Sequence, residues 1–235
     1  MVAVLPAAGL GTRMRSLTGG SAKELLSVGG KPVIEHVLEE ARQAGASEIV
    51  VISSLLKPDL NDWLKRQSGI SLVYQSAPNG LGDALACYLP TEPALVLLPD
   101  TLFCGLAASL VLVDQNEREA VRILVEEVAA DDRHRYGIVE VASNNRVHRI
   151  IEKPEPGATE SRLAVAARYY FPVTFYRRLS EQRQKAAPGE FGVSAAIQAW
   201  IDEGGEVYAQ ILESGGARLD CGSPSGYKQA KEAFG

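Results

Sequence analysis

PAAGLGTRMRSLTGGSAKELLSVGG, residues 6–30, follows the apolar run Val2 to Leu5. That run has the length and β-branched content of a buried strand, so residues 6–30 form a Gly-rich, basic loop leaving a strand. Gly9 and Gly11 let the backbone come close to a ligand and turn successive N–H groups toward it, while Arg13 and Lys23 bring two cations to the same place. The expected ligand is an anion, phosphate above all. Two common phosphate motifs do not fit. Met14 stands where a dinucleotide fingerprint needs glycine, and Gly20, Ser21, Ala22 and Lys23 do not spell the Gly-Lys-Ser/Thr of a P-loop.

Beyond the loop, Val33, Ile34, Val37, Leu38, Ala41 and Ala44 fall on one helical stripe, with Pro32 placed in the first turn and Gly45 as its stop. Glu48 to Ser53 reads as a buried strand, and a helix over Pro58 to Gln67 with a strand over Ile70 to Gln75 gives a second round. Such βαβ units imply neighbouring parallel strands. Asn79 and Gly80 turn the chain and Gly82 opens a short helix. The strand Ala94 to Leu98 runs into Asp100, an acid at the carboxyl end of a strand, where α/β sheets bind ligands. Leu106 to Val113 reads as helix.

After Glu119 the texture changes. Ala120 to Val128, Tyr136 to Val141, Val147 to Glu152 and Leu163 to Phe171 read as strands of an antiparallel or mixed extension. Thr174 to Gln184 and Ser194 to Glu203 read as helices, Glu206 to Ile211 as a strand and Pro224 to Phe234 as a closing helix. The fold class expected is α/β, a Rossmann-like mixed, mainly parallel sheet flanked by helices.

The 235 residues suffice for one large α/β domain, and a formal charge of −5 argues against a nucleic-acid surface. Cys87, Cys104 and Cys221 are an odd set without metal-ligand spacing, which points to a reduced, intracellular chain with no structural disulfide. No apolar run nears the ~18 residues of a membrane span, and the N-terminal run lacks a charged lead-in and a cleavage site. A cytoplasmic location is expected. His36, His134 and His148 are scattered and receive no role.

The islands PAAGLGTRM, KELL, GGKPVIEHVLEEARQAGASEIVVIS, GLGDALA, LPD, RYGIVEV, EKPEPG and LDCGSPSGY, in this order, cover nearly the whole chain. Together they resemble the sugar 1-phosphate nucleotidylyltransferases, above all the bacterial UTP:glucose-1-phosphate uridylyltransferases, with the glucose-1-phosphate thymidylyltransferases a step further off. The resemblance implies the nucleotide-diphospho-sugar transferase fold in a single domain, 1–235, with a nucleotide-binding part (1–115) and a sugar-binding part (116–235). It also implies magnesium-dependent transfer of a nucleoside monophosphate from UTP or dTTP to a hexose 1-phosphate, glucose 1-phosphate first, with release of pyrophosphate. The partners are then a nucleoside triphosphate and a sugar 1-phosphate, with no nucleic acid and no membrane; a homo-oligomer is compatible with this. Such a reaction is mostly alignment and charge neutralisation. A phosphate monoester has its second pKa near ~6, so the nucleophile needs no protein base at neutral pH.

Residue by residue, the resemblance assigns Arg13 to the departing pyrophosphate and Lys23 to the phosphates; the plain alternative is two cations in a solvated turn. Asp100 and Asp220 match the magnesium carboxylates, although each alone could be a cap or turn residue. Glu152 and Lys153 match the grips on sugar hydroxyls and sugar phosphate, against the alternative of a surface ion pair. Neighbours on a strand face opposite ways, so both can serve one ligand only if the strand breaks there, and Pro154 supplies a break. Gly137 and Val165 match backbone contacts to the sugar, though a turn glycine and a core valine would look the same. Gln75 and Gly80 match the frame of the base, with Leu10 and Gly11 beneath it. Glu24 stands at a base-reading position; a carboxylate only accepts, which suits the imide N–H of uracil or thymine and opposes cytosine and adenine.

Three departures bear on the sugar. Arg162 and Ala167 stand where the family often has Asn and Gly, and Ser194-Ala195 where it commonly has Thr-Asp. The chain ends soon after LDCGSPSGYKQAKEAF, so no added repeat domain is expected. Two other functions stay open at this point: a non-catalytic nucleotide-sugar sensor of the same fold, and a cytidylyltransferase with another phosphorylated acceptor.

Overall fold

Val2–Pro6 (β1) sends Ala3 and Leu5 into one apolar layer and Val2 and Val4 into another, so this strand needs cover on both faces. The computed structural model describes residues 1–105, 108–113, 119–212 and 216–235. After β1 come a short helix, Arg15–Thr18 (α1), and a hairpin of Ser27–Val28 (β2) with Lys31–Pro32 (β3). Gly29 and Gly30 make its turn with φ of 55° and 84°, values that favour glycine at both places. Val33–Gln43 (α2), Glu48–Ser53 (β4), Pro58–Leu64 (α3), Ile70–Tyr74 (β5), Leu81–Leu85 (α4) and Ala94–Leu97 (β6) follow. Then come Thr101–Cys104 (β7), Val121–Glu127 (β8), Gly137–Val141 (β9), Val147–Glu152 (β10) and Leu163–Phe171 (β11). The chain closes with Val173–Lys185 (α5), Val193–Asp202 (α6), Val207–Ile211 (β12), Ala217–Asp220 (β13) and Pro224–Phe234 (α7).

The sheet is mixed and matches the expected class. β1 pairs in parallel with β4 and β6, and β4 with β5, so the N-terminal strands form the parallel part. β11 joins β6 antiparallel and also meets β8 and β9; β10 pairs antiparallel with β9, and β12 parallel with β8. Apolar side chains of α2, α3 and α7 cover the face bearing Ala3 and Leu5, and those of α4, α5 and α6 cover the other. Among the described residues no helix is long and apolar enough to cross a membrane.

Four readings shift. Pro32 belongs to β3 and caps α2 instead of sitting in its first turn, because the hairpin claims Lys31 and Pro32 for pairing. The helix expected over Pro58 to Gln67 stops at Leu64. The helix expected over Leu106 to Val113 begins on residues outside those described; its remainder is one 3-10 turn, Leu110–Leu112, that seats Leu112 in the core and leaves Leu110 and Val111 exposed. Arg122 Nη1 then donates to the Leu112 carbonyl at 2.7 Å, a tertiary contact at the end of that turn. β7 and β13 were not anticipated at all. The boundary expected between 115 and 116 lies outside the described residues.

β11 carries a local irregularity. Its register with β8 shifts between Val165 and Tyr169, and inside that shift Ala167 has φ 61°, the left-handed region. Such a backbone costs an L-residue roughly 1–2 kcal/mol, while the extra unfolded freedom of glycine gives back roughly 0.5–1 kcal/mol. Ala167→Gly is therefore expected to stabilise the chain by about 0.5–1 kcal/mol, a rise in melting temperature of roughly 2–4 °C at the upper end. An unchanged or lower melting temperature would show that the bulge holds alanine without strain.

Candidate active site

The loop after β1 turns at Gly11, whose φ of 59° lies in the left-handed region and whose missing side chain would sit 3.2 Å from Cδ of Lys23. Glycine therefore lets the loop fold down onto the Lys23 stem. Between this loop and the chain that follows β5 opens a cavity of about 460 Å³ with Leu10, Gly11, Lys23, Glu24, Gln75 and Gly80 on its wall. All the residues expected to frame the base thus face one space.

Asp100 follows β6 and Asp220 ends β13, and the two meet because β13 pairs antiparallel with β7, placing Asp220 opposite Thr101. The Cys221 N–H donates to the Asp100 carbonyl at 2.8 Å and fastens the junction. Gly222 sits between the carboxylates: a Cβ there would lie 2.8 Å from Asp100 Oδ2, 2.9 Å from Asp220 Oδ1 and 3.4 Å from Lys23 Nζ. The Lys23 ammonium donates to Asp100 Oδ2. Burial by itself would raise the Asp100 pKa, but the charge and hydrogen bond of Lys23 outweigh it and hold the carboxyl below the usual range. Burial likewise opposes the Lys23 charge, and Asp100, Glu24 and Asp220 overcome it, so its pKa is raised. The donor set fits a magnesium ion, which takes one or two carboxylates and completes its shell with water and substrate phosphates.

A second cavity, of about 670 Å³, shares Leu81, Leu98, Asp100 and Glu190 with the first. Arg13, Gly137, Glu152, Lys153, Val165 and Asp220 line it. Glu152 is the last residue of β10 and lies opposite Gly137 of β9, and its Oε2 accepts from Ser194 Oγ at 2.7 Å. Lys153 has φ 45°, so the break that lets it share the cavity with Glu152 occurs in its own backbone, one residue before Pro154. Arg13 is exposed and opens onto this second cavity, not the first.

Some lining residues were not foreseen. The Tyr136 ring lies under two guanidinium groups, Arg218 at 4.6 Å and Arg135 at 5.4 Å, and Arg218 is paired with Glu126 at 2.5 Å. Arg218 is two residues before Asp220 on β13, so the period-2 alternation of a strand would have placed both on one face. Of the departures, Ala167, Ser194 and Ala195 line the cavity, whereas Arg162 pairs with Glu127 and does not. Lys57 was also missed. It is 6% exposed and donates to both oxygens of Glu24 at 2.9 Å and to the Ala7 carbonyl at 2.7 Å. Glu24 is therefore not a lone carboxylate but half of a buried ion pair, with burial pushing its pKa up and that of Lys57 down against their mutual attraction.

The family model described as "Nucleotidyl transferase" matches residues 2–234. A UTP--glucose-1-phosphate uridylyltransferase of Bacillus subtilis is 31% identical, with 96% of this chain and 87% of the relative covered. Among solved structures, the UTP-bound UGPase from Acinetobacter baumannii aligns with a TM-score of 0.85 at 29% identity over 100% of this chain and 93% of that one. A UDP-glucose pyrophosphorylase complexed with UDP-glucose aligns with a TM-score of 0.86 at 27% identity, covering 99% and 97%.

Proposed function

Because the chain belongs to the nucleotidyl transferase family, and so is an enzyme that moves a nucleotidyl group, we propose that it transfers the nucleoside monophosphate of UTP or dTTP to a hexose 1-phosphate, glucose 1-phosphate first, with magnesium and with release of pyrophosphate. One observation carries this reading: Lys23, Asp100 and Asp220 converge around Gly222 where the two cavities meet. The first cavity, built mainly by residues before 115, takes the nucleotide. The second, built mainly by residues after 116, takes the phosphorylated sugar.

A phosphate oxygen of the sugar 1-phosphate attacks the α-phosphorus, a new P–O bond forms, and the bond to the β-phosphate oxygen breaks to release pyrophosphate. Asp100 and Asp220 would hold the magnesium ion, which neutralises triphosphate charge. Lys23 adds a point charge at the phosphates and Arg13, at the open end, a planar donor fork for the departing pyrophosphate. Lys153 holds the sugar phosphate and Glu152 accepts from sugar hydroxyls, with Gly137 and Val165 contacting the ring. Leu10, Gly11, Gln75 and Gly80 enclose the base, and Glu24, both of its oxygens held by Lys57, closes the wall beside them.

The test is pyrophosphate release from each of UTP, dTTP, CTP and ATP with magnesium and a panel of sugar 1-phosphates. Turnover with UTP or dTTP and a hexose 1-phosphate is expected; release with no pair, or only with CTP or ATP, would refute the reading. The pH profile gives a further check. Lys23 depresses the Asp100 pKa, so that carboxylate stays ionised as the medium turns acid, whereas the sugar phosphate takes up its second proton near pH ~6. Turnover is expected to fall as the pH drops through about 6. An acceptor with a more acidic second ionisation should move that limb to lower pH; a limb that ignores the acceptor would assign it to the protein.

A further inference from the structure

Gln75 is 4% exposed on the wall of the first cavity, and its Nε2 donates to Asp83 Oδ2 at 2.6 Å and to the Gly80 carbonyl at 3.3 Å. A carboxylate and a carbonyl only accept, so the amide can face them only with its NH2 end; turned over, it would set oxygen against oxygen. Both amide protons are thereby used. The one group Gln75 has left for a ligand is Oε1, which accepts no hydrogen bond among the described residues. Asp83 is not among the residues on the cavity wall. Its other oxygen, Oδ1, accepts from Nε of Arg183 on α5, so the carboxylate is anchored from behind.

We propose that Asp83, anchored by Arg183, sets the nucleobase preference by fixing the Gln75 amide with its carbonyl oxygen as the only group offered to the base. Asp83 is thus a positioning residue, and the inference rests on the nucleotide assignment of the first cavity given above. An acceptor at this wall pairs with a ring N–H, which uracil, thymine and guanine carry and which cytosine and adenine replace by a lone pair. A base of the second group leaves two acceptors facing one another, which costs a buried site far more than a missing contact.

The test is calorimetric titration of the full chain with UTP and with CTP, magnesium present and sugar absent. In Asp83→Asn, Arg183 still requires an oxygen, so the new amide nitrogen faces Gln75. The Gln75 amide can then turn over, opposed only by the Gly80 carbonyl at 3.3 Å, and present Nε2, a donor, to the base. The UTP-to-CTP affinity ratio is expected to fall by at least ~10-fold in Asp83→Asn, and part-way in Asp83→Ala, which merely loosens the amide. In a Gln75→Ala background the same Asp83 changes should leave the ratio within ~2-fold, since the group they act through is gone. Equal weakening of both nucleotides, an unchanged ratio, or the same fall without Gln75 would each overturn the proposal. Thermal melts of each variant accompany the titrations. A chain that binds UTP over CTP yet releases no pyrophosphate with any sugar would sink the proposed reaction and leave this inference standing.

Discussion

Asp100→Asn is expected to lower turnover by at least ~10²-fold, the scale of removing one preorganised electrostatic contact from a transition state. The substitution keeps the shape and one oxygen but removes the charge. In the structure that charge faces the Lys23 ammonium and lies across Gly222 from Asp220, at the junction where a triphosphate and a sugar phosphate would meet. Lys23 would also lose its nearest counter-ion while remaining mostly buried, so the variant is expected to bind magnesium-triphosphate more weakly as well as to react more slowly. Steady-state kinetics with saturating magnesium separate the two effects. Turnover within ~10-fold of the parent would move the metal to another part of the cleft.

Arg168→Met is expected to cost about 3–5 kcal/mol of folding stability, the range for removing one partner of a buried ion pair. Arg168 is 0% exposed. Its guanidinium meets Glu40 at 2.9 and 2.6 Å and the carbonyls of Leu98, Ala167 and Thr101 at 3.2, 3.0 and 2.8 Å, and it stacks on Phe103. Without it the Glu40 carboxylate loses its charged partner and keeps only the Ser109 hydroxyl, and three carbonyls each lose a donor. The double variant Glu40→Leu, Arg168→Met is expected to recover much of the loss, because no charge is then left unpaired. Urea denaturation of the parent, both single variants and the double measures this; a cost below ~1 kcal/mol for Arg168→Met would deny the pair a structural role.

The pH dependence has a definite sign. Burial raises the Glu40 pKa, but Arg168 outweighs burial and the net shift is downward. The pair therefore stabilises the fold above the ordinary carboxylate range, and that contribution is lost as the pH falls through the depressed pKa. Stability that rose on acidification would contradict it. Because Leu98 and Thr101 flank Asp100, the same guanidinium also holds the loop that carries the proposed metal ligand.

Elements with a strong period were legible in the chain itself. The stripe Val33 to Ala44, the β-branched runs of β1 and β4, and the ends of β10, β11 and α7 follow from local pattern, and the structure places them there. Local pattern failed where a segment is too short to show a period. β7 and β13 have four residues each, and neither could be read as a strand without knowing its partner. The turn at Gly29-Gly30 had a readable signal, two glycines between extended pairs, that the helical stripe behind it obscured. Lys57 offered no signal, because only the fold brings it under Glu24, 33 residues away.

By itself the sequence determined the α/β class, and it led to the proposal of a phosphate-holding loop after β1 from its local glycine and cation spacing and, through the family resemblance, of the residues that would do the chemistry. Only the tertiary structure decided that Asp220 stands beside Asp100, through a four-residue antiparallel pairing of β13 with β7. It alone decided that Lys153 turns into the same cavity as Glu152, that Glu24 is half of a buried ion pair and that Gln75 has a fixed amide direction. Those outcomes depend on the β7–β13 pairing, on Lys57 meeting Glu24 across 33 residues, on Arg183 anchoring the Asp83 that holds Gln75 across 100, or on a backbone angle, none of which a short window specifies.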